Sequence, residues 1–297
     1  MNSRKNLFLG IVMTIGLAVF ATAAAAQMQP PPLKVMHLTG GVYWTSGGAG
    51  ANTGFIVGTN GVIVVDAKMT ADSAKEMLAD IAKVTPKPVT TVILTHSDGD
   101  HVNGLAGFPK GLTIIATANC KKEMEESENG PNPAMAAPKD YLPNRTVTKS
   151  ETVTIDGVRL RLLHFAPAHT SGDLLVYLPA QKIVFTGDIL TLQFPYPLIH
   201  LAKHGSSAGW IINMRGLLAL KAVTYVPGHG ELPTRADLQK RLKEAVTRRA
   251  EIKKLVAQGK TLDQVKTALG ESLAPPPKGG YHPPTYTEVV YQELTKK

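Results

Sequence analysis

Between residues 94 and 104 the chain reads Leu-Thr-His-Ser-Asp-Gly-Asp-His-Val-Asn-Gly, which sets His96, Asp98, Asp100 and His101 within six positions. The segment ends a β-branched apolar run, 89–94, that reads as a buried strand. Imidazoles and carboxylates this dense at a strand end repel one another or must each be solvated. The arrangement is costly unless positive charge sits among them. A divalent metal removes the difficulty, since histidine nitrogen and aspartate oxygen are its ordinary ligands. A solvated polar loop without metal accounts for this one segment too, so the reading turns on what lies elsewhere.

Three later segments supply it. His169 follows the run 158–165 in Pro167-Ala168-His169-Thr170-Ser171-Gly172-Asp173. Asp188 closes the next strand in Phe185-Thr186-Gly187-Asp188, and His229 follows the last in Val226-Pro227-Gly228-His229-Gly230. Each is a ligand-type residue past a predicted strand, with glycine nearby to let the loop turn back closely. In layered α/β folds that edge is where sites gather.

The remaining pattern predicts hairpins at 53–57 with 62–65, at 152–155 with 158–164 around Asp156-Gly157, and at 174–178 with 183–186. Helices are expected at 72–84, 118–127 and 208–220, and a long one to 258 opens on a capping box, Thr234 with Asp237. A short helix at 262–269 and a Pro/Gly/Tyr tail with Tyr281, Tyr286 and Tyr291 follow, placed either back on the core or in self-association. The proline-bearing stretch 129–143 reads as a loop. Two sheets covered by helices fit this order.

The series His96-x-Asp98-x-Asp100-His101, then His169, Asp188 and His229, resembles the metallo-β-lactamase superfamily from about residue 33 to 258. The resemblance implies an α/β fold, a four-layer αββα sandwich with a two-metal site at one edge. It implies His96 and His169 as ligands of the first metal, with Asp100, His101 and His229 on the second and Asp188 bridging. Asp66, after the run 62–65, matches the aspartate that supports the histidine loop; a turn residue closing a strand reads equally well. The implied cofactor is Zn2+, two ions, and the implied reaction is hydrolysis by metal-activated water, with Asp100 the candidate catalytic residue.

Asp98 departs from the family pattern, which has histidine there. Aspartate is a harder, anionic donor on a shorter side chain: it either ligates, admitting Mn or Fe alongside zinc, or falls short and leaves the first metal weak. Relatives in DNA uptake carry Asp at this position and flavodiiron relatives carry Glu. The β-lactamases carry Cys or Ser where this chain has Asp188, which disfavours lactam substrates. An ester, thioester or lactone is the expected substrate. A phosphodiester, a β-lactam, a di-iron oxygen-dependent redox role and a silent metal-binding protein are the alternatives. The loop 193–207 is expected over the site; Phe194, Tyr196, His200 and His204 there read more readily as ordinary loop or packing residues than as pocket lining.

Composition sets the frame. A chain of 297 residues with 43% hydrophobic and 19% charged content can build a large core and is not disordered. Arg4 and Lys5, the uncharged apolar run 7–20 and Ala24-Ala25-Ala26 read as a signal peptide, residues 1–26, cut before Gln27. The expected product is exported, periplasmic or secreted, without a stable membrane anchor. It comprises a domain over 27–258 and a C-terminal extension over 259–297. The net charge of +9 is concentrated on the long helix, where Glu244 and Glu251 interrupt it, so no nucleic acid partner is expected. The partner is a small-molecule substrate, with a homo-oligomer left open. The single cysteine, Cys120, excludes an intramolecular disulfide and reads as a small buried apolar residue.

Overall fold

Successive strand residues point to opposite faces, and the central strands of this chain are apolar on both. The computed structural model describes residues 30–129, 136–276 and 282–296, so the expected leader and Tyr281 lie outside the described residues. In β4 (Val62–Val65), Val62 and Val64 join one buried cluster while Ile63 and Val65 join another. β5 (Val89–Ile93) and β6 (Thr113–Thr117) divide the same way: Val92, Ile114 and Ala116 to the first cluster, Ile93 and Ile115 to the second. Strands that need apolar cover on both sides must be sandwiched.

The first sheet runs in chain order from β1 (Lys34–Thr39) through β2 (Val42–Ser46), β3 (Thr53–Val57), β4, β5 and β6 to β7 (Arg145–Val147). Pairing is antiparallel up to β4 and parallel beyond it. Helix α1 (Ala71–Val84) makes the crossover from β4 to β5, the single turn α2 (Gly99–Val102) follows β5, and α3 (Ala118–Glu128) follows β6. Ala74, Met77 and Ile81 of α1, with Cys120 and Met124 of α3, cover the outer face of this sheet.

The second sheet comprises β8 (Glu151–Ile155), β9 (Val158–Leu163), β10 (Leu175–Leu178), β11 (Ile183–Phe185) and β12 (Thr224–Val226), in the spatial order β12-β11-β10-β9-β8. Only the β11–β12 pair is parallel, and α4 (Ser207–Ala219) lies in its crossover. Asp156 (φ 46°) and Gly157 (φ 77°) form the turn between β8 and β9, the positive pair a tight hairpin requires. The two sheets meet through Ile56, Ile63, Ile93, Leu160, Leu162, Val176 and Phe185. At Gly54 a Cβ would stand 2.1 Å from the Phe185 ring, so only glycine permits that approach.

The outer face of the second sheet, with Leu175, Tyr177, Val184 and Tyr225, is covered by α4 and by α5 (Arg235–Ala257) through Trp210, Met214, Leu217, Leu238, Ala245 and Ile252. The layers therefore run helix, sheet, sheet, helix. α5 opens on the Thr234–Asp237 capping box. Three strands, β1, β2 and β7, and the last helix had no counterpart in the sequence pattern. That helix, α7 (Tyr286–Thr295), buries Tyr286, Val289 and Val290 in the same cluster as α4 and α5, beside Val265 of α6 (Leu262–Ala268). Each buried valine contributes on the order of 1.5–3 kcal/mol, which places the tail on the core. Among the described residues no helix is long and apolar enough to cross a membrane.

Candidate metal centre

Five strands end on one edge of the sandwich, and each delivers a polar side chain there. β4 leads into Asp66, β5 into the 96–101 segment, β9 into His169, β11 into Asp188 and β12 into His229. His96, His101 and His169 are fully buried, and Asp98, Asp188 and Asp66 nearly so. Asp100 and His229 sit at the rim, 29% and 20% exposed at their side chains.

Asp66 organises the interior of this edge. Its φ of 62° is one that non-glycine residues seldom adopt, and it turns the carboxylate under the histidine segment. Oδ1 accepts the Thr95 amide at 2.8 Å, while Oδ2 accepts the Thr95 hydroxyl and His101 Nδ1, both at 2.8 Å. Because the Thr95 hydroxyl donates to Asp66, it is left to accept from His96 Nδ1, 3.0 Å away. His169 Nδ1 donates to the Leu198 carbonyl at 2.9 Å. With every Nδ1 acting as donor, the Nε2 atoms of all three rings face the common space, the usual way in which an outer hydrogen bond fixes a ligating imidazole.

Asp188 sits in the turn 187–189, where the Trp210 indole holds the Ile189 carbonyl at 2.8 Å. Gly228 packs so closely that a Cβ there would fall 1.9 Å from Asp188 Oδ1. His229 is fixed by a parallel bridge to Thr191. Asn52 ties this loop to the first sheet, donating to the Pro227 and Gly230 carbonyls at 3.1 and 2.8 Å.

The ligand-type atoms fall into three overlapping groups: His96, Asp98 and His169; His96, His101 and Asp188; Asp100, His101 and His229. Asp188 Oδ1 lies 3.2 Å from His101 Nε2, and its Oδ2 lies 3.5 Å from His229 Nε2 and 3.7 Å from His169 Nε2. Asp188 therefore stands between the groups. His96 Nε2, His101 Nε2 and Asp188 Oδ1 are buried with no hydrogen-bond partner. Leaving such atoms unmade costs about 1–3 kcal/mol each, and divalent cations held among these groups would satisfy them. The donor set, imidazole nitrogens with carboxylate oxygens, is the one such a cation takes.

Proton affinities carry the same strain. Burial pushes the Asp188 carboxyl up, but His101, His229 and His169 around it hold it far below the usual carboxylate range. Burial also opposes ionisation of Asp98 and Asp100. Hydrogen bonds from His169, His200 and His96 hold Asp98 well down, and His101 and His229 hold Asp100 down. Burial disfavours charge on His169, yet the Asp98 carboxylate raises it to about 9. Without a cation, the histidines must carry the positive charge that the carboxylates demand.

The structure brings His96, Asp98, Asp100, His101, His169, Asp188 and His229 to one edge, with Asp66 beneath them. It also places two further residues here: His200, read from sequence as an ordinary loop or packing residue, and Lys203, which the sequence did not single out. His200 Nδ1 lies 3.1 Å from Asp98 Oδ2, and Lys203 Nζ lies 2.7 Å from Asp98 Oδ1. No local pattern marks either one. Of the other loop residues considered, Tyr196 stacks on Tyr286 under Arg248 and belongs to the helical cover. The Phe194 backbone carbonyl is held by Arg241, and His204 adopts φ 55° where the turn 201–203 ends. His164 Nδ1 donates to the Asp173 carbonyl at 2.8 Å.

Comparison with known proteins agrees with this geometry. A model of the metallo-beta-lactamase superfamily matches residues 46–229. The chain is 30% identical over 205 residues to the 2,4-dinitroanisole O-demethylase subunit alpha of Nocardioides sp. (strain JS1661), covering 68% of this chain and 56% of that one. It is 23% identical over 211 residues to a linear primary-alkylsulfatase of Pseudomonas sp. (strain ATCC 19151), covering 58% and 40%. Among solved structures, a stereoselective inverting sec-alkylsulfatase from Pseudomonas sp. superposes with TM-score 0.72 at 19% identity, over 89% of this chain and 50% of that one. A metallo-beta-lactamase from Pontibacter korlensis superposes with TM-score 0.59 at 21% identity, over 72% and 99%. The chain thus spans only about half the length of the O-demethylase and the two alkylsulfatases. The family match over residues 46–229, together with the fold, makes the chain a member of the metallo-beta-lactamase superfamily.

Proposed function

We propose that the protein is an exported hydrolase that uses two divalent ions, zinc in the first instance, to cleave an ester, thioester or lactone of a small molecule. The observation that carries this is the convergence of His96 Nε2, His101 Nε2 and Asp188 Oδ1, buried and without a well-formed hydrogen bond, on one space. Bound divalent ions supply Lewis acidity there and bring the pKa of water to about 7.

The chain's own groups do the rest. His96, Asp98 and His169 would hold one ion and Asp100, His101 and His229 the other, with Asp188 within reach of both groups. Asp100 Oδ2, 3.0 Å from His229 Nε2 and open at the rim, orients the attacking water and takes its proton. Asp66 and Thr95 keep His101 and His96 in the tautomer that leaves Nε2 free. No serine or cysteine nucleophile is invoked: Cys120 is buried, and burial pushes its thiol up. Export rests on the basic, apolar and small-residue succession of residues 1–26.

Sulfate-ester cleavage is the second reading, favoured by the 211-residue match to the linear primary-alkylsulfatase. The test is metal analysis of protein purified without added metal, followed by a panel of lactone, thioester, carboxylic ester, alkyl sulfate, bis-aryl phosphodiester and β-lactam substrates. Two divalent ions per chain and turnover of a carboxylic ester, thioester or lactone are expected. Fewer than about one ion per chain overturns the metal reading. Turnover confined to the alkyl sulfate selects the second reading.

A further inference from the structure

Asp98 brings a full negative charge into a pocket that already holds Asp188 and Asp100, at a position where a neutral imidazole would serve. The structure shows what accompanies it. The Lys203 ammonium has three donors, and each has an acceptor: the Ser97 carbonyl at 3.1 Å, the Ser97 hydroxyl at 3.0 Å and Asp98 Oδ1 at 2.7 Å. The Ser97 hydroxyl in turn donates to buried Glu123 at 2.6 Å, whose other oxygen takes the Ser171 hydroxyl at 2.6 Å. Lys203 is therefore engaged on Asp98 and its neighbour and has no donor left for a substrate.

The backbone fixes this placement. His200 N donates to the His169 carbonyl at 2.8 Å, Ser171 N to the Lys203 carbonyl at 2.8 Å and Ser206 N to the Ala168 carbonyl at 2.8 Å. The 200–206 loop is thus laced to the loop that carries His169. A Cβ at Gly205 would come within 2.2 Å of the His169 carbonyl, so the two loops touch.

With Oδ1 engaged by Lys203, Asp98 presents one oxygen to the histidines: Oδ2 lies 3.0 Å from His169 Nε2 and 3.7 Å from His96 Nε2, with His200 Nδ1 held on the same oxygen at 3.1 Å. Those spacings are about what separates two ligands of one tetrahedral ion. We propose that Asp98 and Lys203 act as one unit, a neutral single-atom donor equivalent in charge and denticity to a histidine. The pair keeps the first donor group matched to the borderline ion that imidazoles favour. A bare carboxylate, free to bind through both oxygens, suits harder ions such as Mn2+. Lys203 is a positioning residue acting through Asp98. This inference rests on the metal-hydrolase reading.

The test is a double-mutant cycle of Lys203→Met and Asp98→His, with Lys203→Arg as the conservative variant. The readouts are ions per chain by mass spectrometry, competition between Zn2+ and Mn2+, and the visible spectrum of the Co2+-loaded protein. Circular dichroism of each variant identifies any that fail to fold. In Lys203→Met the Mn2+-to-Zn2+ preference of the first group should rise about tenfold, and Lys203→Arg should hold it near the wild-type value. Asp98→His alone leaves the ammonium facing a bound cation and should lose the first ion; adding Lys203→Met should restore it. If instead Lys203→Met leaves the preference unchanged, or Asp98→His keeps both ions with Lys203 intact, the pairing is overturned while the hydrolase reading stands. If the wild-type chain itself holds no ion, both fall. Should Lys203→Met fail to fold, Asp98→His with Lys203 intact decides the matter on its own: loss of the first ion supports the pairing, and retention of both ions overturns it.

Discussion

The two donor groups are held in different ways. His101, at the heart of the second group, takes its support from Asp66, a residue at the end of the neighbouring strand whose backbone is already twisted to φ 62°. Asp98, in the first group, takes its support from Lys203, 105 positions away on a turn of the opposite half. One support is built into the sheet edge; the other arrives on a loop. A ligand fixed by a strand end keeps its geometry through substrate-loop motion, whereas a ligand whose charge is balanced by a loop residue depends on that loop being docked.

Removing His101 should produce the largest effect. His101→Ala leaves Asp66, Asp100 and Asp188 without their shared buried partner, and burial with unbalanced charge costs about 3–5 kcal/mol. Urea unfolding of metal-free protein should show that loss, metal analysis should show fewer ions, and hydrolysis should fall to background. Retention of both ions would reverse the ranking of the two groups.

The segment under the second group also has a pH signature. Burial lowers Lys68 from its ordinary 10.5 to about 8, while its ammonium is satisfied by the Gly47 and Ala51 carbonyls at 2.6 and 2.7 Å. The unfolded chain then holds the Lys68 proton at pH values where the folded chain has released it. Stability rises with pH between about 8 and 10.5, and the gain is lost again as pH falls through 8. The full span is on the order of 3 kcal/mol. Denaturant titrations from pH 7 to 11 should show it in wild type and not in Lys68→Met; parallel curves for the two proteins would remove Lys68 as the cause.

A matched pair of milder changes compares the supports directly. Asp66→Asn keeps a residue that tolerates positive φ but cannot accept all three hydrogen bonds as an anion. Metal affinity at the second group should drop 10- to 100-fold in chelator competition. Glu123→Gln touches the first group only indirectly, through Ser97 and Lys203 on one side and Ser171 of the His169 loop on the other, and a change of a few-fold is expected. A larger effect from Glu123→Gln would show that the buried carboxylate, and not the sheet edge, is the stiffer support.

Much of this was legible in the chain because the relevant signals are local. The β-branched apolar run Val62–Val65 beside its glycine turn and the Thr234–Asp237 box mark their elements within a few positions. β1 escaped because its face is mostly exposed and its sequence, Lys-Val-Met-His-Leu-Thr, carries no clean alternation. α7 was hidden by the prolines before it, although a capping box of its own, Thr285 with Glu288, was there to mark its start. The gathering of the seven ligand-type residues follows from strand ends, which sequence shows. The roles of Lys203 and His200 do not, because a lysine or histidine in a surface loop has many ordinary uses and its partner is set by tertiary docking alone.

Cys120 has a practical side. It is the only cysteine of the chain, wholly buried, with a thiol that burial keeps protonated. Thiol-directed reagents act on exposed thiolates, so the native protein is silent to them. A cysteine introduced on the 200–206 loop would be the one site to take a spin label or fluorophore. Co2+ or Mn2+ in the metal centre would then serve as the paramagnetic reference. The distance between loop and centre becomes measurable in solution, substrate present or absent, without altering a single native thiol.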